Sequence, residues 1–159
     1  VSMEPAVVRG NASEIMALAG TGGGGRGPET ADDVDSALGA ARAMSEHHGF
    51  VAAVSGPVDA IVDGQRMTRI TGGSPMLTRV TGGGCALGAL IAAFIAAGRE
   101  QDVDARAATV ACHEVYSAAA QRAAARSTGP GSFRPAFLDA LYDLGAEDLE
   151  AVAVSEEQA

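Results

Sequence analysis

The stretch Thr81-Gly82-Gly83-Gly84-Cys85 is the one best suited to chemistry, because it lies directly ahead of an apolar, helix-forming segment. Consecutive glycines let successive backbone N–H groups converge on one point, and a helix start adds partial positive charge there. Such a bend can stabilise the charge that develops on a transferring phosphoryl group. The plainer alternative is a helix-entry turn in a glycine-rich chain. Cys85 closes the bend, where a thiolate or a nearby carboxylate could accept a proton from a hydroxyl. Its alternative is simple burial, the common fate of cysteine. Cys112, inside a long helical segment, has no special neighbours and reads as a packing residue.

A second group lies near the N-terminus. Asn11 and Glu14 have the spacing of a capping box, which local hydrogen bonds explain fully. A Glu in a first helical turn with an Asn one turn back can also hold a hydrated magnesium ion and so reach phosphates through water. Arg9 beside them could clamp a phosphate with two donors. A further glycine cluster, Gly22-x-Gly24-x-x-Gly27, matches the dinucleotide fingerprint in letters only. It follows a helical segment and leads into Pro28, whereas the fingerprint must follow a strand and open a helix. A flexible loop is the better reading.

Composition narrows the chemistry. All 11 basic residues are Arg and none is Lys. That rules out a lysine Schiff base, a lysine nucleophile and the GK[ST] ending of a P-loop. A formal net charge of −9 argues against nucleic acid, which calls for clustered basic residues. A nucleotide remains possible, because directed amides, an arginine and a divalent cation suffice. No run approaches the length of a membrane span, and the N-terminus carries no charged region followed by an apolar one. Two cysteines are too few for a disulfide scaffold, so a reducing, cytoplasmic setting is expected. Among the histidines, His47 and His48 diverge on a helix, and no zinc site emerges.

These residues need elements to position them. Apolar residues make up 47% of the 159 and aromatics only 4%, so the core is built from Ala, Val, Leu and Ile. Pro5 to Val8 reads as the end of a buried strand, and a helix follows from Asn11 to about Ala19. Asp32 or Asp33 caps a second helix that ends near Gly49. Phe50 to Val54 is a continuous apolar run typical of a central strand. Ala60 to Val62 and Arg66 to Ile70 flank Asp63-Gly64 as a hairpin. The Ala-rich helix runs from about Cys85 to Ala97 and stops at Gly98. A longer helix spans roughly Val103 to Arg126, with Val103, Ala107, Val110, Ala111, Val115 and Ala118 on its apolar stripe. The loop Gly129 to Ser132 leads to a last helix carrying Phe137, Leu138 and Leu141. Residues 1–159 form one α/β domain, and the acidic tail over 146–159 is expected to fray.

In order along the chain, these pieces resemble the hydroxyethylthiazole kinases of the ribokinase-like superfamily. Arg9-Gly10-Asn11-Ala12-Ser13-Glu14 resembles their N-x-x-E segment, and Ser55-Gly56-Pro57-Val58-Asp59 their T-G-E-V-D turn. Thr78 to Cys85 resembles their T-x-V-T-G-x-G-C anion hole. Gly129-Pro130-Gly131-Ser132-Phe133 and the following Phe137 to Leu141 resemble their closing segments. The likeness covers about Arg9 to Leu141, and Cys85 stands where other ribokinase relatives carry Asp. The resemblance implies a layered ribokinase-like fold, with a mostly parallel central sheet flanked by helices and lacking its N-terminal part. It implies transfer of phosphate from ATP, with Mg2+, to the hydroxyl of 4-methyl-5-(2-hydroxyethyl)thiazole in thiamine biosynthesis. Arg9 and Ser55 would contact ATP, Asn11 and Glu14 would organise magnesium, and Gly82 would lie against the thiazole. Gly83, Gly84 and Cys85 would form the anion hole, with Cys85 catalytic, in a homotrimer. Ser55 replaces the usual Thr and keeps its hydroxyl, whereas Pro57 replaces the usual Glu. Two other readings stay open: a ribokinase-like kinase for another vitamin alcohol, and a non-catalytic binding or assembly module.

Overall fold

Helices pack on both faces of a five-stranded sheet in the computed structural model, which describes residues 4–21 and 34–158. The sheet contains β1 (Val7–Asn11), β2 (Val51–Ser55), β3 (Val58–Asp63), β4 (Arg66–Thr71) and β5 (Ala153–Gln158), in that spatial order. Helices α1 (Ala12–Leu18) and α2 (Val34–His48) lie between β1 and β2 in the chain, and α3 (Gly83–Arg99), α4 (Ala105–Ala125) and α5 (Pro130–Tyr142) follow β4. The loop with Gly22, Gly24 and Gly27, and the capping position at Asp32 or Asp33, lie outside the described residues.

Period-two alternation in β2 explains the layers. Ala52 and Val54 join Ile15 of α1 and Ala37, Ala41 and Met44 of α2 in one core. Val51 and Ala53 face the other way, with Ile61 and Ile70 against Ala118 of α4. A strand covered on both faces needs no polar side, which is why it reads as an unbroken apolar run. A third cluster joins Leu87 and Ile91 of α3, Cys112 and Tyr116 of α4, and Phe133 and Phe137 of α5.

The α/β layered class stands, but within this chain only the β1–β2 pairing is parallel. The β2–β3, β3–β4 and β4–β5 pairings are antiparallel. The links explain the difference. A parallel pair needs a long crossover, which α1 and α2 provide, whereas two-residue links turn β2 back into β3 and β3 into β4; β5 instead returns antiparallel from beyond α5. In the hairpin Asp63 faces Arg66, and Gly64 takes the left-handed φ of 58°.

Three expectations are corrected. The acidic tail does not fray: residues 153–158 pair along all of β4 as β5. Its acids are matched, with Glu156 on Arg106 and Thr68, and Glu157 on Arg69. Helix α5 begins at Pro130, inside the expected loop, because proline's fixed φ suits a first helical position. The buried face of α4 is also displaced. Val103 is 40% exposed, while Thr109, Cys112, His113 and Ala119 are fully buried. Polar residues with partners occupy that face, so hydrophobicity alone placed it wrongly. Among the described residues no helix is long and apolar enough to cross a membrane.

Candidate active site

Parallel pairing brings the ends of β1 and β2 to the same edge, with Arg9 opposite Ala53 and Asn11 opposite Ser55. In open α/β sheets that carboxyl edge is where ligands bind. Arg9 Nε donates to Ser55 Oγ at 3.0 Å. The same guanidinium lies against the first turn of α3: a Cβ on Gly84 would meet Arg9 Nη1 at 2.8 Å. Gly84 therefore permits a cation to sit on the helix start, and three of the expected site segments converge through Arg9.

Helix α3 starts two residues earlier than expected, at Gly83, so Gly83, Gly84 and Cys85 fill its first three positions. Gly82 precedes them with φ +94°, a left-handed conformation natural to glycine, and no side chain caps the helix. The first amides of a helix have no partner within it. Among the described residues nothing accepts from the N–H groups of Gly83, Gly84 or Cys85. Cys85 is exposed on this turn. Cys112 is buried, and that burial pushes its thiol up to about 12.

The start of α1 is different. Asn11 Oδ1 accepts from the Glu14 amide at 2.9 Å and from Ser13 Oγ at 2.9 Å, and Glu14 Oε2 accepts from the Asn11 amide at 2.8 Å. This is a complete capping box. Among the described residues no group of three His, Cys, Asp or Glu could hold a metal. The cap spends Asn11 Oδ1 and Glu14 Oε2, so these two residues form no cage of protein ligands and could serve only an ion that keeps its waters.

Three further residues brace the site: Asp59, which closes the Ser55–Asp59 turn, and two of α4 whose roles were not anticipated, His113 and Tyr116. The Asp59 carboxylate accepts from the Gly56 amide at 2.8 Å and pairs with His113 Nδ1 at 2.7 Å. His113 is wholly buried, and its Nε2 has no partner among the described residues. Tyr116 donates its hydroxyl to the Gly83 carbonyl at 2.6 Å. Burial raises the Tyr116 phenol to about 12, more than the nearby Arg9 lowers it, so it remains a donor at neutral pH. The signal for the last two was their spacing of three, which puts His113 and Tyr116 on one face of an otherwise Ala-rich helix.

Known proteins share this arrangement of segments. The model of the hydroxyethylthiazole kinase family matches residues 1–147. A hydroxyethylthiazole kinase of Corynebacterium glutamicum (strain R) is 49% identical over 147 residues, which cover 92% of this chain and 55% of the relative. One from Tolumonas auensis is 50% identical over 155 residues, covering 96% of this chain and 57% of the relative. The solved structure of a hydroxyethylthiazole kinase protein from Pyrococcus horikoshii OT3 superposes with a TM-score of 0.80 at 30% identity, over 96% of this chain and 55% of that one. The chain therefore spans about half the length of the relatives it matches. With that coverage, the chain belongs to the hydroxyethylthiazole kinase family.

Proposed function

We propose that this chain carries the phosphate-handling part of a kinase that phosphorylates the hydroxyl of 4-methyl-5-(2-hydroxyethyl)thiazole from ATP, in thiamine biosynthesis or salvage. The carrying observation is the set of unspent amides at Gly83, Gly84 and Cys85, with the Arg9 guanidinium against them. In this reading the alcohol oxygen attacks the γ-phosphorus, a new O–P bond forms, and the bond to the departing ADP oxygen breaks. The hydroxyl proton passes to Cys85 acting as its thiolate, which becomes the thiol. The three amides and Arg9 hold the equatorial charge in place, the main task of a phosphoryl-transfer site. Arg9 and Ser55 lie on the ATP side, and Gly82, which bears no side chain, leaves room for the thiazole. Magnesium, when bound, would neutralise phosphate charge, and Asn11 and Glu14 would hold it through its waters. The same reading takes the enzyme to be a cytoplasmic homotrimer.

The test is turnover of the thiazole alcohol by the longest form of the protein its gene encodes, with Mg-ATP, read as ADP and phosphorylated product. Product formation supports the proposal. A folded protein that forms none overturns it, and a panel of other vitamin alcohols then identifies a kinase of different substrate. Sedimentation of the same sample decides the trimer.

A further inference from the structure

We propose that His113 and Tyr116 of α4 are positioning residues for this reaction, holding the nucleotide side and the anion hole at a fixed separation. The proposal rests on the phosphoryl-transfer reading and adds to it a brace that spans the site. The two residues are three apart, so they share one face of α4. Each spends its polar group on a different segment of the site. His113 donates Nδ1–H to Asp59, whose other oxygen holds the Gly56 amide beside Ser55. Ser55 in turn accepts from Arg9. Tyr116 holds the Gly83 carbonyl, and peptide planarity makes that carbonyl's orientation set the direction of the Gly84 N–H.

Helix α4 is well suited to act as a brace. Ala119, Ala120 and Ala123 behind these residues are fully buried, and Tyr116 packs edge-on against Phe137 with ring centroids 4.9 Å apart. Space-filling alone does not explain the residue types. An apolar side chain would fill the His113 site without leaving Nε2 buried and unpartnered, and a buried orphan atom is costly. Phe would fill the Tyr116 site as well. What the polar versions add is contact with the two backbone segments that hold phosphate. Displacement of such segments by about 1 Å is enough to cost roughly 100-fold in rate.

The experiment compares the wild type with Tyr116→Phe, His113→Leu and His113→Asn, using kinase kinetics and amide hydrogen exchange. Tyr116→Phe keeps the ring and is expected to lower kcat about 10- to 100-fold with little change in the KM for the alcohol. Exchange at the Ala86 amide, which is bonded to the Gly82 carbonyl, is expected to rise about tenfold in that variant. His113→Leu is expected to raise the KM for ATP about tenfold and to speed exchange over 55–58. His113→Asn keeps a donor toward Asp59 and recovers most of that loss, which a mere packing role would not predict. Lower melting temperatures with unchanged kinetics and unchanged exchange at both segments would overturn the proposal. Should the wild type phosphorylate no alcohol, the activity reading falls separately. Protection of residues 82–87 by added ADP, if lost in Tyr116→Phe, then still supports the brace, and unchanged protection ends it.

Discussion

Two helix starts, one continuing β1 and one against the Arg9 side chain of β1, are finished in opposite ways. The start of α1 is closed by Asn11 and Glu14, whose side chains satisfy each other's backbone groups. The start of α3 is opened by Gly82 with no side-chain cap, and its first three amides stay unspent. Both leave a positive helix end, but the cap of α1 takes up the Glu14 amide, whereas all three first amides of α3 are left to an incoming anion. Arg9 touches the open start rather than the closed one. A cap stabilises the fold by using up the groups that could bind; its omission costs stability and leaves a site.

That contrast can be broken or sharpened by substitution. The largest effect is expected at Cys85 on the open start. Cys85→Ala should lower kcat by about 100-fold or more, the usual worth of a proton-accepting group. Cys112→Ala should leave kcat near the wild-type value, and equal losses in the two variants would make Cys85 a packing residue. Next comes Gly84→Ala. The added methyl meets the flexible end of Arg9, so the guanidinium yields rather than the helix. We expect an activity loss of about tenfold from one displaced phosphate contact, with a melting temperature that holds or rises because alanine favours helix.

Stability toward alkali should follow the buried thiol and phenol. Cys112 and Tyr116 are held protonated up to about 12, against ordinary values of 9.0 and 10.0. The unfolded chain therefore releases these protons first. Stability is whole below about pH 9 and falls as pH rises toward 12. Denaturant midpoints across that range, flattened in Cys112→Val, check the sign and the assignment. The smallest effect is expected at the closed start. Asn11→Ala should cost about 1 kcal/mol, the worth of an N-cap. It should also raise the magnesium concentration needed for half-maximal turnover. An unchanged magnesium requirement would leave Asn11 and Glu14 as a cap alone.

Much of this molecule could be read locally. The capping box of α1, the buried run of β2 and the hairpin around Gly64 each depend on neighbours within a few residues, and each formed where expected. The open bend before α3 was legible for the same reason, because glycines, their order and the apolar helix behind them are adjacent in the chain. The face of α4 was not legible. Thr109, His113 and Tyr116 look like solvent-facing residues until their partners are known, and those partners lie at Ala105, Asp59 and Gly83. Strand β5 was missed similarly, since Glu156 and Glu157 suit an edge strand only once Arg106 and Arg69 stand beside them.

The amino-acid order by itself determined most of the helices and strands, where α1 is capped and where a glycine bend opens α3, because these follow from backbone preferences and contacts a few residues apart. Only the tertiary structure decided that Arg9 would rest on Gly84, that Asp59 would find His113 and that Tyr116 would hold Gly83. Those contacts span 33 to 75 residues of chain, taking Tyr116 to Gly83 as the shorter and Arg9 to Gly84 as the longer. Packing of the sheet against α4 brings them together, and no local rule encodes that packing.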